Sequence, residues 1–587
     1  MECNDLVIGL VGSGGDGVIT AGEVLVNAHA SCGLYAIMLK SLGPQIRGGG
    51  SSCRVRLCEN PFYSHGDRVQ VLGVFNWKDF RHFKDEMLFP NSVVVIHDSD
   101  DKISEEKIPL DENIHRMTYR IPLAKLAKEK AGTTLAKNMV MLGAVAELFG
   151  LPQEEIRHTI QNRFAKKSKE VVNSNLAGFS AGSTYTRHHL KKIDNLTLKY
   201  TSSTPKVVMD GNTAIAYGAL YAGCMFYAGY PITPSSEIME WMSRELPRYG
   251  GTMIQAEDEL AAIGMIIGAS FAGEKAMTAT SGPGFALMTE QLGLASTAEL
   301  PIVIVDVQRG GPSTGIPTKT EQSDLQQALF GTHGDANRVV IAPADVADCF
   351  DVAIEAFYIA EKYQIPVIIL SDQYIGQRIE SFPPDMFLNR ENGFRKRNKR
   401  EQASEGELQD FKRFRITETG VSPLTCPGVK GGMYQAAGIE HDEYGLPSSD
   451  VEIHARMNKK RFKKNKYIAE ELNFVRFYGP EDAAVGVIGW GSSKGAIEEA
   501  VLRLNDEGYP VSAVIPQILF PFAQKKMEQY LQPLKTIIIA ELSYAGQFFK
   551  YLKGFMRFGD RKLKPYARSG GAPFSVEEIY ETIREEF

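Results

Sequence analysis

"CMFYAGYPITPSSEIMEWM", residues 224–242, changes character within a few positions. It opens on an apolar and aromatic run, ends on an acidic, amphipathic one, and sets two prolines around an Ile-Thr pair between them. The first part reads as a short buried strand. Thr233 before Pro234 reads as an N-cap with proline in the first helical turn, so a helix is expected from Pro234, with Glu237 favoured by the helix dipole. Strand, tight turn and helix N-terminus in that order leave backbone N–H groups and a threonine hydroxyl where an anion or a cofactor can bind. An ordinary strand-to-helix turn has the same local signature, so the rest of the chain has to decide between them.

Outward from this turn the same alternation repeats. "TMIQAE", a helix of small residues ending at Gly273, "AMTATSG", "PIVIVDVQ", "VVIAPA" and "PVIILSD" continue one α/β domain, expected over residues 206–385. Upstream, "DLVIGLV" is a buried-type strand followed by the glycine turn "GSGGDG", a helical stretch and the strand-like "YAIMLK", "SCRVRL", "VQVLGVF" and "VVVIHD". A mostly parallel sheet covered on both faces is expected there, over 1–190, with a polar linker over 191–205. Residues 386–475 turn polar and basic, with the runs "NRENGFRKRNKREQ" and "NKKRFKKNK", and read as a long solvated connector or subunit contact rather than an RNA-binding surface. A smaller α/β unit over 476–587 carries the strands "AAVGVIGW", "VSAVIP" and "KTIIIAEL".

Composition narrows the class. At 587 residues with 43 % apolar content the chain is long enough for several well-packed domains. A formal net charge of −6 and a pI near 6.1 disfavour general binding to nucleic acid or to anionic membranes. No apolar stretch is long enough to span a bilayer and the N-terminal apolar run has no basic segment before it, so a cytoplasmic location is expected. The seven cysteines, at 3, 32, 53, 58, 224, 349 and 426, make no C-x-x-C pair, which argues against an iron–sulfur or zinc site built by this chain alone.

Three stretches carry chemistry. "GSGGDG", Gly12 to Gly17, satisfies the G-x-G-x-x-G pattern between a strand and a helix. The next strand ends in Lys40 rather than an acid, which lowers NAD and leaves a phosphorylated ligand such as NADP or coenzyme A, or a purely structural glycine turn. "LGPQIRGGGSSCRV" adds Arg47 in a glycine-rich loop that also reads as a hairpin-like turn. "VQRGGPSTGIPTKTEQ" contains the G-x-S-x-G string of a hydrolase elbow around Ser313, but Pro317 and the intervening glycines leave no helix behind the serine. The stretch instead offers Arg309 at the carboxyl end of a strand, suited to bidentate carboxylate binding, followed by hydroxyls at Ser313, Thr314, Thr318 and Thr320. In "QAEDELAAIGMIIGASFAG" three acids enter an apolar helix, and Glu259, nearest its body, is the one expected to be partly desolvated, unlike Glu257 and Asp258.

Taken in order, "YPITPSS", "EDELAAIGMIIGAS", "TATSGPG" and "RGGPSTGIPT" resemble the 2-oxoacid:ferredoxin oxidoreductases, and the resemblance covers nearly the whole chain. Residues 1 to about 190, with "GDGVITAG" and "RGGGSSCRVRL", resemble the family's gamma domain; the remainder resembles the alpha subunit, with a thiamine-pyrimidine domain and a transketolase-C-terminal-like domain. The gamma-before-alpha order and "GIEHDEYG" in the connector resemble most the 2-oxoglutarate-type members. The resemblance implies that Glu259 bonds the aminopyrimidine of thiamine diphosphate and activates it, that Tyr230, Pro231 and Thr233 flank cofactor and substrate, and that Arg309 and Thr318 contact the 2-oxoacid. It implies a beta subunit that brings Mg²⁺ and [4Fe–4S] clusters, an (alpha-beta)2 heterotetramer, ferredoxin as electron partner and coenzyme A as acyl acceptor, with Gly14, Lys40 and Arg47 as a candidate coenzyme A surface. For a substrate with a second carboxylate, Lys319, His333 or a beta-subunit residue would be the counter-cation. Run in reverse, such a reaction fixes CO2, as in a reductive tricarboxylic acid cycle; the potential of the electron donor decides the direction. The readings from other substrates are pyruvate, branched-chain or aryl pyruvates, and from another class, a non-catalytic ligand-binding or scaffold subunit.

Overall fold

The computed structural model describes residues 2–43, 49–101, 103, 108–385, 402–472 and 475–587. Two compact units divide the chain, one of Met1–Met209 with Arg378–Glu391, the other of Asp210–Gln377 with residues 392–587. Both are α/β.

The first unit is built on an eight-stranded sheet. Its central strand, Asp5–Ser13, is an apolar run buried along almost its whole length, and Gly17 in the left-handed region (φ 73°) turns the chain from it into the helix Val18–Ser31. On one side Asp5–Ser13, Val71–Val74, Ser92–Asp98 and His115–Ile121 pair in parallel. On the other side Gly50–Cys58 and Tyr35–Leu42 run antiparallel to their neighbours, so this sheet is mixed rather than mostly parallel. The reason is local: the two strands follow each other directly, with Leu42 opposite Ser51 and the Gly43 N–H donating to the Gly50 carbonyl at 2.9 Å, and a connection that short permits only a hairpin. Leu6, Ile8, Val24, Leu25, Val55, Val140 and Phe149 lie in its buried core.

The second unit contains a seven-stranded sheet in the order Thr252–Gln255, Phe226–Gly229, Ala276–Thr280, Val303–Gln308, Val367–Asp372, Val339–Ile341, Ile518–Phe520. All neighbours are parallel except the last pair. Val303–Gln308 and Val367–Asp372 are buried at every residue, as strands of a two-face-covered parallel sheet are, and both are mostly β-branched and aliphatic. The chain leaves Phe226–Gly229 towards one edge and returns from Thr252–Gln255 to Ala276–Thr280 on the other side. This reversal makes a topological switch point between Phe226–Gly229 and Ala276–Thr280, and crevices for ligands open outside the carboxyl ends of such strands. A five-stranded sheet, Val475–Tyr478, Val511–Pro516, Val485–Ile488, Thr536–Glu541 and Lys562–Ala567, is parallel but for its first pair. One hydrophobic core runs between both sheets, with Ile304 and Ile368 of the first and Ile488, Trp490, Val514 and Ile537 of the second.

The stretch read as a solvated connector departs from that reading. "NKKRFKKNK" lies in a 21-residue helix, Val451–Glu471, and buries Lys460, Arg461 and Lys464. The ammonium of Lys460 and that of Lys464 (2.6 Å) both bond the carboxylate of Glu299, itself 1 % exposed, and Asn337 Nδ2 donates to the Arg461 carbonyl at 2.8 Å. A distant acid therefore draws part of the basic run inside. The other basic run, from residue 389, lies outside the described residues up to residue 401. Among the described residues no helix is long and apolar enough to cross a membrane.

Candidate active site

The turn after Phe226–Gly229 is tighter than its sequence predicts. The Ile232 carbonyl accepts the Ser235 N–H at 2.9 Å and its hydroxyl at 3.0 Å, and Asn212 Nδ2 donates to the Pro234 carbonyl at 2.7 Å. The Thr233–Pro234 peptide is cis. With these carbonyls taken by the turn and by a neighbouring helix, the helix begins at Ser236, two residues later than expected, and Thr233 is not its cap. Glu237 does sit in the first turn, where Gln377 Nε2 donates to it at 2.6 Å. Tyr230, Pro231 and Thr233 are left exposed along the rim of the sheet.

Next to this rim stands Glu259. Asp258 caps the helix Glu259–Phe271 by accepting the Ala261 N–H at 2.7 Å, and Glu257 is exposed, so the three acids divide their roles by depth. Glu259 is 5 % exposed and accepts a long hydrogen bond from the Thr280 hydroxyl at 3.4 Å. Its carboxyl lies so close over Gly284 that a Cβ there would stand 2.2 Å from Oε1. Glycine is thus a requirement of this carboxyl's position.

Arg309 follows the neighbouring strand Val303–Gln308 and is 7 % exposed. Its Nη1 donates to the Thr233 carbonyl at 2.5 Å, tying the two turns together. Burial lowers its guanidinium below the usual arginine value, with the charge of Asp324 opposing. Glu259, Thr233 and Arg309 therefore follow the carboxyl ends of three strands of one sheet, Thr252–Gln255, Phe226–Gly229 and Val303–Gln308, with Ala276–Thr280 between the last two. Beyond Arg309 the chain closes a loop: the Gly310 N–H donates to the Lys319 carbonyl at 3.0 Å and the Ile316 N–H to the Gly310 carbonyl at 2.8 Å. Thr318 is partly buried in it, one residue from that Lys319 carbonyl. Ser313 is exposed with φ 58° in this loop and no helix follows it, so the hydrolase elbow is absent from this stretch. Lys319 belongs to the loop, whereas His333 is exposed and lies against Gly293.

A cavity of about 770 Å³ opens beside Arg309, lined also by Gly282, Gly311, Glu321, Asp324 and Ser543. Two of its acidic surroundings were missed in the sequence. Asp306, in the middle of "PIVIVDVQ", is fully buried, and an acid inside an otherwise aliphatic strand is the signal that points to it. Asp324 is the second.

The first unit holds the glycine turn. The Gly14 N–H donates to the Gly49 carbonyl at 2.7 Å, and the Asp16 carboxylate accepts the Ser13 N–H at 2.8 Å and pairs with Lys137 at 2.8 Å. The chain's own groups thus occupy part of the phosphate cradle. Lys40 is partly buried on Tyr35–Leu42, opposite Cys53, with the strand Gly50–Cys58 between it and the turn's own strand. Arg47 lies outside the described residues. Among the described residues no three His, Cys, Asp or Glu side chains are grouped to hold a metal ion.

Comparison with known proteins covers the same segments. Family models match residues 7–185 (pyruvate ferredoxin/flavodoxin oxidoreductase), 217–460 (pyruvate flavodoxin/ferredoxin oxidoreductase, thiamine diphosphate binding) and 483–579 (pyruvate:ferredoxin oxidoreductase core domain II). The chain is 32 % identical to the 2-oxoacid:ferredoxin oxidoreductase subunit alpha of Saccharolobus solfataricus, over 98 % of this chain and 96 % of that protein. It is 40 % identical to the 2-oxoglutarate synthase subunit KorA of Archaeoglobus fulgidus, over 58 % of this chain and 89 % of that one. A solved structure of 2-oxoglutarate:ferredoxin oxidoreductase from Magnetococcus marinus, with 2-oxoglutarate, coenzyme A and succinyl-CoA bound, superposes with a TM-score of 0.92 at 36 % identity over the full length of both chains.

Proposed function

The chain belongs to the 2-oxoacid:ferredoxin oxidoreductase family, and from that premise we propose that it is the gamma-fused alpha subunit of an enzyme converting 2-oxoglutarate, coenzyme A and oxidised ferredoxin to succinyl-CoA, CO2 and reduced ferredoxin. The observation that carries this reading is the burial of Glu259 at a switch-point sheet edge where Arg309 braces the adjoining turn. The 2-oxoglutarate assignment is supported by the names of the Archaeoglobus and Magnetococcus relatives.

The residues present suit thiamine diphosphate, because a buried carboxyl stands at the strand ends and Gly284 keeps its flank free of side-chain atoms. When bound, that cofactor supplies the electron sink that takes up the bonding pair when the 2-oxoacid releases CO2. Glu259 is assigned to share a proton with the aminopyrimidine nitrogen from its dry position. Tyr230 and Pro231 border the cofactor, and the Thr233 hydroxyl and Thr318 contact the substrate. Arg309 holds the 2-oxoacid carboxylate; the Thr233 carbonyl orients its guanidinium and burial strengthens the attraction. Gly14, Lys40 and Arg47 are assigned to coenzyme A contact. In this reading a beta subunit supplies Mg²⁺, the cofactor's diphosphate site and the [4Fe–4S] clusters that pass electrons to ferredoxin, within an (alpha-beta)2 assembly in the cytoplasm.

The test is co-expression with the beta subunit and assay of several 2-oxoacids with coenzyme A and a low-potential acceptor. The complex reduces the acceptor fastest with 2-oxoglutarate, and Glu259→Gln lowers kcat by about 10²–10⁴-fold while the complex still assembles. Preference for pyruvate or an aryl pyruvate overturns the substrate, and no 2-oxoacid-dependent reduction overturns the function.

A further inference from the structure

Arg309 shares its surroundings with three carboxyl groups. Asp306, three residues earlier on the same strand, is completely buried, and neither of its carboxyl oxygens has a hydrogen-bond partner. Asp324 stands where the loop returns to the sheet: Gln308 Oε1 accepts its N–H at 3.0 Å, and its Oδ2 is buried without a partner. Glu321 is buried and accepts the Gly570 N–H at 3.2 Å. Arg309, Glu321 and Asp324 wall the same cavity. The guanidinium gives one N–H to Thr233 and leaves Nε unpartnered. A cation with a spare donor and a carboxyl with a spare oxygen thus share one wall without bonding each other.

That arrangement has a physical reading. Asp324 is half-buried on the cavity wall; were it permanently ionised, the buried guanidinium would be its natural partner, because leaving a charged oxygen buried and unpaired is costly. The two unbonded groups fit an Asp324 that keeps its proton. Burial, then the charge of Asp324, hold Asp306 well above the carboxylate range; burial and the charge of Glu321 push Asp324 up to about 7, with Arg309 pulling the other way. The titratable groups that act on Asp324 or are acted on by it are Asp306 from the strand and Arg309 and Glu321 from the two ends of the loop, and Tyr544 lines the same cavity.

We propose that Asp324 is a positioning residue that decides whether Arg309 is open to the substrate carboxylate: protonated, it leaves the guanidinium to the 2-oxoacid, and ionised, it competes for the guanidinium and expels the anion. This rests on the assignment of Arg309 as the carboxylate site. It makes substrate affinity, rather than turnover, the quantity that falls in alkali.

The experiment measures KM and kcat for 2-oxoglutarate between pH 6 and 9 in the assembled complex, at saturating coenzyme A. KM of the unmodified complex is flat on the acid side and rises about tenfold per pH unit above the Asp324 titration, and kcat does not follow that limb. Asp324→Asn removes the rise. Glu321→Gln deletes a charge that pushes Asp324 up, so it moves the onset to lower pH; should the first variant fail to assemble, this shift carries the test. A rise retained in Asp324→Asn, an onset unmoved in Glu321→Gln, or a flat KM in the unmodified complex overturns the proposal. Arg309→Ala separates the two layers. If it leaves KM unchanged, the carboxylate assignment itself fails; if it weakens binding while Asp324→Asn keeps the limb, only the role of Asp324 fails.

Discussion

Glu299 and Asp306 are both buried carboxyls of the second unit, and the protein treats them in opposite ways. Glu299 meets the ammonium groups of Lys460 and Lys464, and the Arg413 guanidinium donates to its carbonyl at 2.7 Å. Burial alone would raise its carboxyl, but Lys460, Lys464 and Arg413 outweigh that and hold it well below the usual range. Asp306 has neither a cation nor a hydrogen bond, and the nearby charge is another carboxyl. The first carboxyl fastens the helix Val451–Glu471 to the α/β core, so its charge is architecture. The second is pushed well above the usual carboxylate range by burial and the charge of Asp324, which walls the same cavity as Arg309, and a neutral Asp306 leaves that arginine's field undiminished.

Removing the charge of Glu299 is the strongest way to break the contrast. Glu299→Gln leaves Lys460 and Lys464 buried with no anion, and truncating one side of a buried pair costs about 3–5 kcal/mol. Hydrogen exchange across residues 451–471 should accelerate first, ahead of the strands of the seven-stranded sheet. A variant as stable as the parent would mean that the cluster contributes no net stability and that the lysines find other partners.

Acid offers a smaller and graded version of the same break. Because the folded-state value of Glu299 is depressed, its contribution is complete above the unfolded value of about 4.3 and fades as pH falls below it. The stability gap between the parent and Glu299→Gln should therefore narrow by about 1.4 kcal/mol per pH unit below about 4.3. Urea midpoints of both proteins along a pH series read that gap directly; a gap that persists into acid assigns the anchoring to packing rather than charge.

These two carboxyls also mark how far the sequence could be read. The strands of the second unit were legible because buried parallel strands are continuous apolar runs, and "CMFYAGY", "AMTATSG", "PIVIVDVQ" and "PVIILSD" each contain one. The depth order of Glu257, Asp258 and Glu259 was legible for a similar reason, since helix entry alone ranks them. What failed were readings that depend on distant partners. The helix after Thr233 starts late because Asn212, on another helix, takes the Pro234 carbonyl. The basic run reads as solvated because its buried anion is 161 residues away from Lys460. The first sheet is mixed because a hairpin intervenes in an otherwise alternating pattern. The ligand was of a third kind: local geometry pointed to an anion or cofactor at the sheet edge, and only the ordered motifs pointed to thiamine diphosphate and a 2-oxoacid.

The finest test of the contrast is the substitution that should do least. If Asp306 is neutral, Asp306→Asn exchanges one uncharged group for another of nearly the same shape, and the change in stability should stay within about 1 kcal/mol at neutral pH. The small residue of effect comes from the amide, which brings two N–H donors to a place where the carboxyl brought one. If Asp306 were ionised, the same substitution would delete an unpaired buried charge and stabilise the protein by several kcal/mol. The sign and size of this one value therefore report the charge state: near zero for a neutral carboxyl, strongly positive for a buried anion, and strongly negative for a carboxyl holding a hydrogen bond that the substitution breaks. A neutral Asp306 further leaves the alkaline rise in KM almost where it was, because a group without charge cannot push on Asp324. A large displacement of that rise by Asp306→Asn would mean that the two carboxyls exchange their proton, and that the pair rather than Asp324 alone regulates Arg309.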